Sequence, residues 1–260
     1  MANPNLSVPT TCRLSTRLSL QWLPEPAGEE TTDTVVMSVN GWYLDLRMKK
    51  TGGMDWAIAG QRIVESQDPV KVSFTHELDS HNAFESVDCG TFEPLSPGVD
   101  KETGSMSNYD QPGAPVMEYV EIWKELSFRE GPEGALKGIS WVLESDDGVV
   151  SEGEQEVSVT KTFLGRIWGT YLALRQTQLH KRHKDSSGNW TVSKSGLDVS
   201  ARREEWDSGW IEKVVFGGAA ELLPSITDIE GEGKGSWRVP GEKVTIKGKS
   251  YIVRAFEEIQ

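Results

Sequence analysis

The chain has 260 residues, enough for one large core or two modest ones, since domains of about 100 to 150 residues are the commonest. Its 37% hydrophobic and 26% charged residues exclude a disordered chain, and no apolar run approaches the length of a membrane span. A net charge of -13 argues against nucleic acid as a partner, because holding a polyanion needs a basic surface.

The first twenty-odd residues lack the apolar run of a signal peptide, and two cysteines, Cys12 and Cys89, are too few for a disulfide framework. Both features predict a cytoplasmic protein, in which the sequons at Asn5 and Asn189 carry little weight. Short runs rich in Val, Ile, Tyr, Trp and Thr then follow between Gly, Pro, Asp and Asn: 18–23, 34–39, 42–48, 70–78, 139–143, 157–163, 167–174, 211–216, 243–246 and 251–256. They predict a mostly β protein with little helix. The best helical candidate, MEYVEIWKEL at 117–126, also alternates well enough to be a strand. Ten tryptophans point to a cavity, because an indole N–H is costly to bury without a partner and Trp often lines pockets.

GWYLDLR at 41–47 recurs as GTYLALR at 169–175, and each copy follows a run rich in Val and Thr. Each also precedes a tryptophan beside an acid, DWAIAG at 55–60 and EWDSG at 205–209, so the chain reads as two related halves. The charged Gly/Pro stretch FREGPEG at 128–134 divides them, giving expected domains at 10–127 and 136–260. Strand alternation puts Tyr43, Asp45 and Arg47 on one face and Trp42, Leu44 and Leu46 on the other. Bulk on both faces is what a barrel strand shows when one face meets the other half and the second lines the lumen.

These motifs, with MDWAIAG, FTHELDSH at 74–81, YVEIWKEL and FLGRIWGTYLALRQ in the same order, resemble the fungal Hri-one family over about residues 16–252. The resemblance implies two lipocalin-like (calycin-type) antiparallel β-barrels packed together. It also implies associations with a casein kinase I homologue and a translocation-complex subunit, but no agreed activity. FTHELDSH departs from the family pattern, since His76, Glu77 and His81 look like additions.

That stretch holds two histidines and two carboxylates. Read as one strand, it turns His76 and His81 to opposite faces, so no metal site is expected. The same reading puts His76 among Val72, Phe74 and Leu78, where burial would lower its pKa and leave a neutral imidazole. A lone histidine on an apolar face is most often a satisfied core residue. The other pair, His180 and His183, falls in LHKRHK, which reads as a solvated hairpin. No nucleophile elbow, dinucleotide fingerprint or P-loop occurs, so no cofactor is expected.

The first functional expectation is therefore a two-barrel protein that binds a hydrophobic small molecule through Trp42, Tyr43, Trp56, Phe74 and Trp123. The second is a cofactor-independent isomerase, cyclase or dehydratase of fungal specialised metabolism, pericyclase-type catalysis included, with His76, Asp45, Arg47 and Asp79 as its acid/base groups. The third is an adaptor that meets a protein partner through its acidic surface.

Overall fold

In a computed structural model, described for residues 11–86, 88–147, 156–184, 186–233 and 237–260, the chain forms two antiparallel sheets and one short helix. The Asn5 sequon lies outside the described residues. The first sheet contains β1 (Arg13–Trp22), β2 (Thr32–Val39), β3 (Trp42–Lys49), β4 (Met54–Gln67), β5 (Val70–Phe74), β6 (Leu78–Asp79), β7 (Asp88–Ser96), β8 (Val99–Ser107) and β9 (Val116–Glu125). Each long strand pairs with the next, and β9 returns to pair with β1, so eight strands close an up-and-down barrel; β6 continues along β4 where β5 leaves it.

The second sheet contains β10 (Gly138–Ser145), β11 (Glu156–Ile167), β12 (Thr170–Lys184), β13 (Trp190–Gly196), β14 (Ser200–Trp206), β15 (Trp210–Phe216), β16 (Lys243–Ile246) and β17 (Lys249–Ile259). Its order is β15-β14-β12-β11-β10-β17-β16, with β13 on the far end of β12. Before β16, a 3-10 turn at Ala220–Leu222 and α1 (Ile226–Gly233) pack on β14 and β16 respectively. Leu223, Ile226 and Ile229 join Trp141, Tyr171, Trp237 and Tyr251 in a buried cluster that fills the interior of this sheet. Among the described residues, no helix is long and apolar enough to cross a membrane.

The repeat explains how the sheets meet. Tyr43 points into the first barrel and Tyr171 into the second interior, while Leu44 and Leu46 share one core with Leu172 and Leu174. The period of two thus gives each copy one face for its own interior and one for the other sheet. Each copy also starts just past a tight turn. In the first, Asn40 and Gly41 take φ of 47° and 81°, the left-handed pair that a two-residue hairpin needs.

Three sequence expectations change. Run 70–78 is not one strand: β5 stops at Phe74, and Thr75 to Glu77 cross over β4 before β6 begins. The crossing requires Gly60, where a Cβ would lie 2.0 Å from the Thr75 carbonyl oxygen. Run 167–174 spans the turn at Trp168 and Gly169 between β11 and β12. His180 is not solvated; it is buried within the β12–β13 hairpin against Gln178, at 2.9 Å. MEYVEIWKEL is a strand, β9.

Candidate functional site

The first barrel encloses a cavity of about 100 Å³, room for several waters or one small organic molecule. Alternate residues of each strand line it: Arg13 and Ser15 from β1, Val36 and Ser38 from β2, Tyr43, Asp45 and Arg47 from β3, Ile58 and Arg62 from β4, and Phe74 from β5. The far wall adds Asp88 and Phe92 from β7, Asp100, Glu102 and Met106 from β8, and Tyr119, Glu121, Trp123 and Glu125 from β9. Arg13 and Glu125 are exposed and mark the mouth, where Arg13 meets Asp100 at 3.4 Å.

The floor is an ion-pair network. Arg47 Nη2 donates to Asp45 Oδ2 at 2.7 Å, and Arg17 Nη1 donates to Glu121 Oε1 at 2.6 Å, an oxygen that Arg47 Nη1 also reaches at 3.4 Å. The Arg47 guanidinium lies over the rings of Trp56 and Trp123, 5.1 and 5.7 Å from their centroids. Burial pulls the Arg47 pKa down, but Asp45 and Glu121 outweigh it and hold the group fully cationic. Burial also raises the Asp45 pKa, against the opposing pull of Arg47. Asp45 is 4% exposed, and its Oδ1 has no hydrogen-bond partner among the described residues.

On the wall, Glu102 accepts only from neutral donors, the Tyr119 hydroxyl at 2.9 Å and the Trp123 indole N–H at 2.8 Å. Burial, then the charges of Glu121 and Asp88, push its pKa up to about 8. Gly90 makes the room for it: a Cβ there would lie 2.1 Å from Glu102 Oε1.

FTHELDSH supplies the other polar chain. Asp79 Oδ2 meets His76 Nδ1 at 2.6 Å, and Asp79 Oδ1 accepts from the Trp56 indole N–H at 3.0 Å and the His81 backbone N–H at 2.6 Å. His76 Nε2 then reaches Asp88 on the lumen wall at 3.3 Å. Burial lowers the imidazole pKa, as expected from sequence, but bonds to two carboxylates outweigh it and lift the value to about 9. His76 is therefore an imidazolium at neutral pH, not the expected neutral base. His81 faces away and stacks on Tyr109 at 3.9 Å, so the two histidines do not converge.

Of the residues singled out in the sequence, Tyr43, Asp45, Arg47, Phe74 and Trp123 line the cavity. Trp56, His76 and Asp79 stand behind its wall, tied to it through Tyr43, Arg47 and Asp88. Trp42 does not join them: it lies on the opposite face of β3, stacked on Phe163 of the second sheet at 6.3 Å. Asp88, Glu102, Tyr119 and Glu121 went unnamed. Tyr119 and Glu121 were within reach, since they alternate with Trp123 along β9. Glu102 carried no signal, because β8, VDKETGSMS, has no apolar alternation to mark it as a strand.

The second sheet holds this arrangement in place. Gln176 Nε2 donates to the Asp79 carbonyl at 2.7 Å, Gln176 Oε1 accepts from the Asp79 N–H at 3.2 Å, and Gln178 Nε2 donates to the Glu77 carbonyl at 2.9 Å.

Among curated proteins and among solved structures, nothing matches the chain. One family model, described as Protein HRI1, matches it over residues 13–249. That span takes in both sheets except the last strand's C-terminal end, and the chain belongs to the HRI1 family.

Proposed function

We propose that the first barrel binds a small molecule with an apolar body in its lumen. The observation that carries this reading is a cavity walled by Tyr43, Phe74, Phe92, Tyr119 and Trp123 with a buried carboxylate oxygen, Asp45 Oδ1, that no described residue satisfies. The interior of the second sheet is instead packed with its own side chains, which supports a division between a binding half and a bracing half. Two free thiols, Cys12 and Cys89, are consistent with a cytoplasmic setting. The test is titration of the protein with small neutral aromatics, indole among them, followed by NMR, alongside Ser15→Trp, which fills the lumen and removes no charged group. Saturable binding that Ser15→Trp abolishes is expected; no binding, or binding indifferent to that substitution, would sink the reading.

Cofactor-independent acid/base catalysis is the second reading, and Glu102 favours it. A buried carboxyl with a pKa near 8 is protonated at neutral pH and suited to donate a proton to a bound substrate. In that reading Asp45 and Arg47 orient the substrate, while His76 and Asp79 hold the charge of Asp88 in place. Loss of turnover in Glu102→Gln with binding retained is the expected result for a candidate substrate; unchanged turnover removes Glu102 from the chemistry.

A further inference from the structure

We propose that the ligand of the first barrel is a small organic cation, an amine or guanidine on an apolar body, whose N–H donates to Asp45 Oδ1. The inference rests on the lumen-binding reading above and specifies its chemistry.

Three features of the lumen point the same way. The first is the unsatisfied acceptor. Asp45 Oδ2 is engaged by Arg47 through two nitrogens, at 2.7 and 3.0 Å, while Oδ1 of the same buried carboxylate lines the cavity with no described partner. A buried acceptor of this kind costs free energy until a donor reaches it, and a charged donor satisfies it best. A ligand carboxylate or phosphate would meet it with repulsion.

The second feature is the charge balance. Asp45, Asp79, Asp88, Glu102 and Glu121 are the carboxyl groups in or behind the wall, and they outnumber the cations Arg17, Arg47 and His76. Each of those cations already holds carboxylates: Arg17 takes Glu121 and Glu30, Arg47 takes Asp45 and Glu121, and His76 takes Asp79 and Asp88. Glu102 has no cation against it, only the Tyr119 hydroxyl and the Trp123 indole. The interior is thus short of positive charge, and its two arginines in this network are committed.

The third feature is the wall. Aromatic faces attract cations, as Trp56 and Trp123 already do for Arg47, and Tyr43, Phe74 and Tyr119 offer further ring surface around the same space. An acidic pocket with aromatic walls is the chemistry that selects an ammonium over an alcohol of the same shape.

The test is a series of equal size and differing charge, benzylamine, benzyl alcohol and benzoate, titrated by calorimetry and NMR into wild type, Asp45→Asn and Ser15→Trp. Wild type is expected to bind benzylamine at least about tenfold more tightly than benzyl alcohol, with benzoate weakest, in line with a charge-assisted bond to a buried carboxylate. Asp45→Asn should erase the preference for the amine, and Ser15→Trp should remove binding of both amine and alcohol. Should Asp45→Asn fail to fold, the wild-type ranking and Ser15→Trp decide the matter. If the alcohol or benzoate binds as tightly as the amine, the cation proposal is overturned and the lumen-binding reading survives. If none of the three binds wild type, both fall.

Discussion

Asp79 is the residue on which the most contacts around the lumen depend. Both its oxygens are in use, on His76, on the Trp56 indole and on the His81 backbone, and the side chain is fully buried. Asp79→Ala leaves an imidazolium and an indole N–H buried without that partner, a change expected to cost about 3 kcal/mol or more in chemical denaturation. His76 adds a pH dependence whose sign follows from its raised pKa. The folded protein holds the proton up to about 9 and the unfolded chain releases it near 6.5, so the contribution is complete below 6.5 and lost as pH rises through 9. At about 1.4 kcal/mol per unit the loss is ~3 kcal/mol, read as a falling urea midpoint between pH 6 and pH 9.5. Glu102 acts in the same direction over a lower window, from 4.5 to about 8. His76→Gln should therefore flatten the upper part of the profile and Glu102→Gln the lower part; a wild-type midpoint independent of pH would overturn both assignments. The sequence placed His76 and Asp79 near the site through an incorrect strand. Asp88, the partner that makes His76 cationic, lies twelve residues on, beyond any local pattern.

The crossing from β5 to β6 decides where those side chains point. Had the strand run on to Leu78, alternation would have kept Phe74 and His76 on one face and sent Asp79 to the other. The break after Phe74 instead brings His76 and Asp79 together, and it depends on Gly60, over which the Thr75 carbonyl passes. Gly60→Ala puts a Cβ into backbone that β4 and β6 hold on both sides, and a destabilisation of about 3 kcal/mol is expected. Because the Tyr43 hydroxyl bonds the same Thr75 carbonyl, near-ultraviolet circular dichroism of the folded fraction should change as well. An unperturbed, equally stable variant would show that the crossing needs no glycine. Strands with apolar alternation, β2, β3, β9, β10 and β17 among them, were legible in the sequence in whole or part. Those whose inward positions hold glycine and carboxylate, β7 with Gly90 and β8 with Glu102 and Gly104, were not, because a polar lumen erases the pattern that marks a strand.

At the scale of the molecule, two halves read from a seven-residue repeat share one core. Leu44, Leu46, Ala57 and Ala59 of the first sheet pack with Phe163, Leu172 and Leu174 of the second, and the linker between them carries Phe128 onto Trp168. Gln176 and Gln178, buried without charge, reach across to the backbone of Glu77 and Asp79 and so hold the wall behind the lumen. We propose 10–127 and 136–260 as the limits of two halves that do not fold apart. Alone, residues 10–127 would expose the whole leucine face of β3 and leave the Glu77 and Asp79 carbonyls without their glutamine donors. That half is expected to be aggregated or unfolded when expressed alone, while the full chain unfolds in a single transition. Replacing both glutamines by alanine tests the coupling within the intact chain. Each substitution leaves a buried backbone group without its partner at roughly 1–3 kcal/mol, and the loss should loosen the His76 and Asp79 segment more than the distant β13 hairpin. Hydrogen exchange resolves the two. Faster exchange at the His81 amide, with β13 unchanged, is the expected pattern, and equal acceleration in both places would mean that the second sheet stabilises the whole without bracing the lumen.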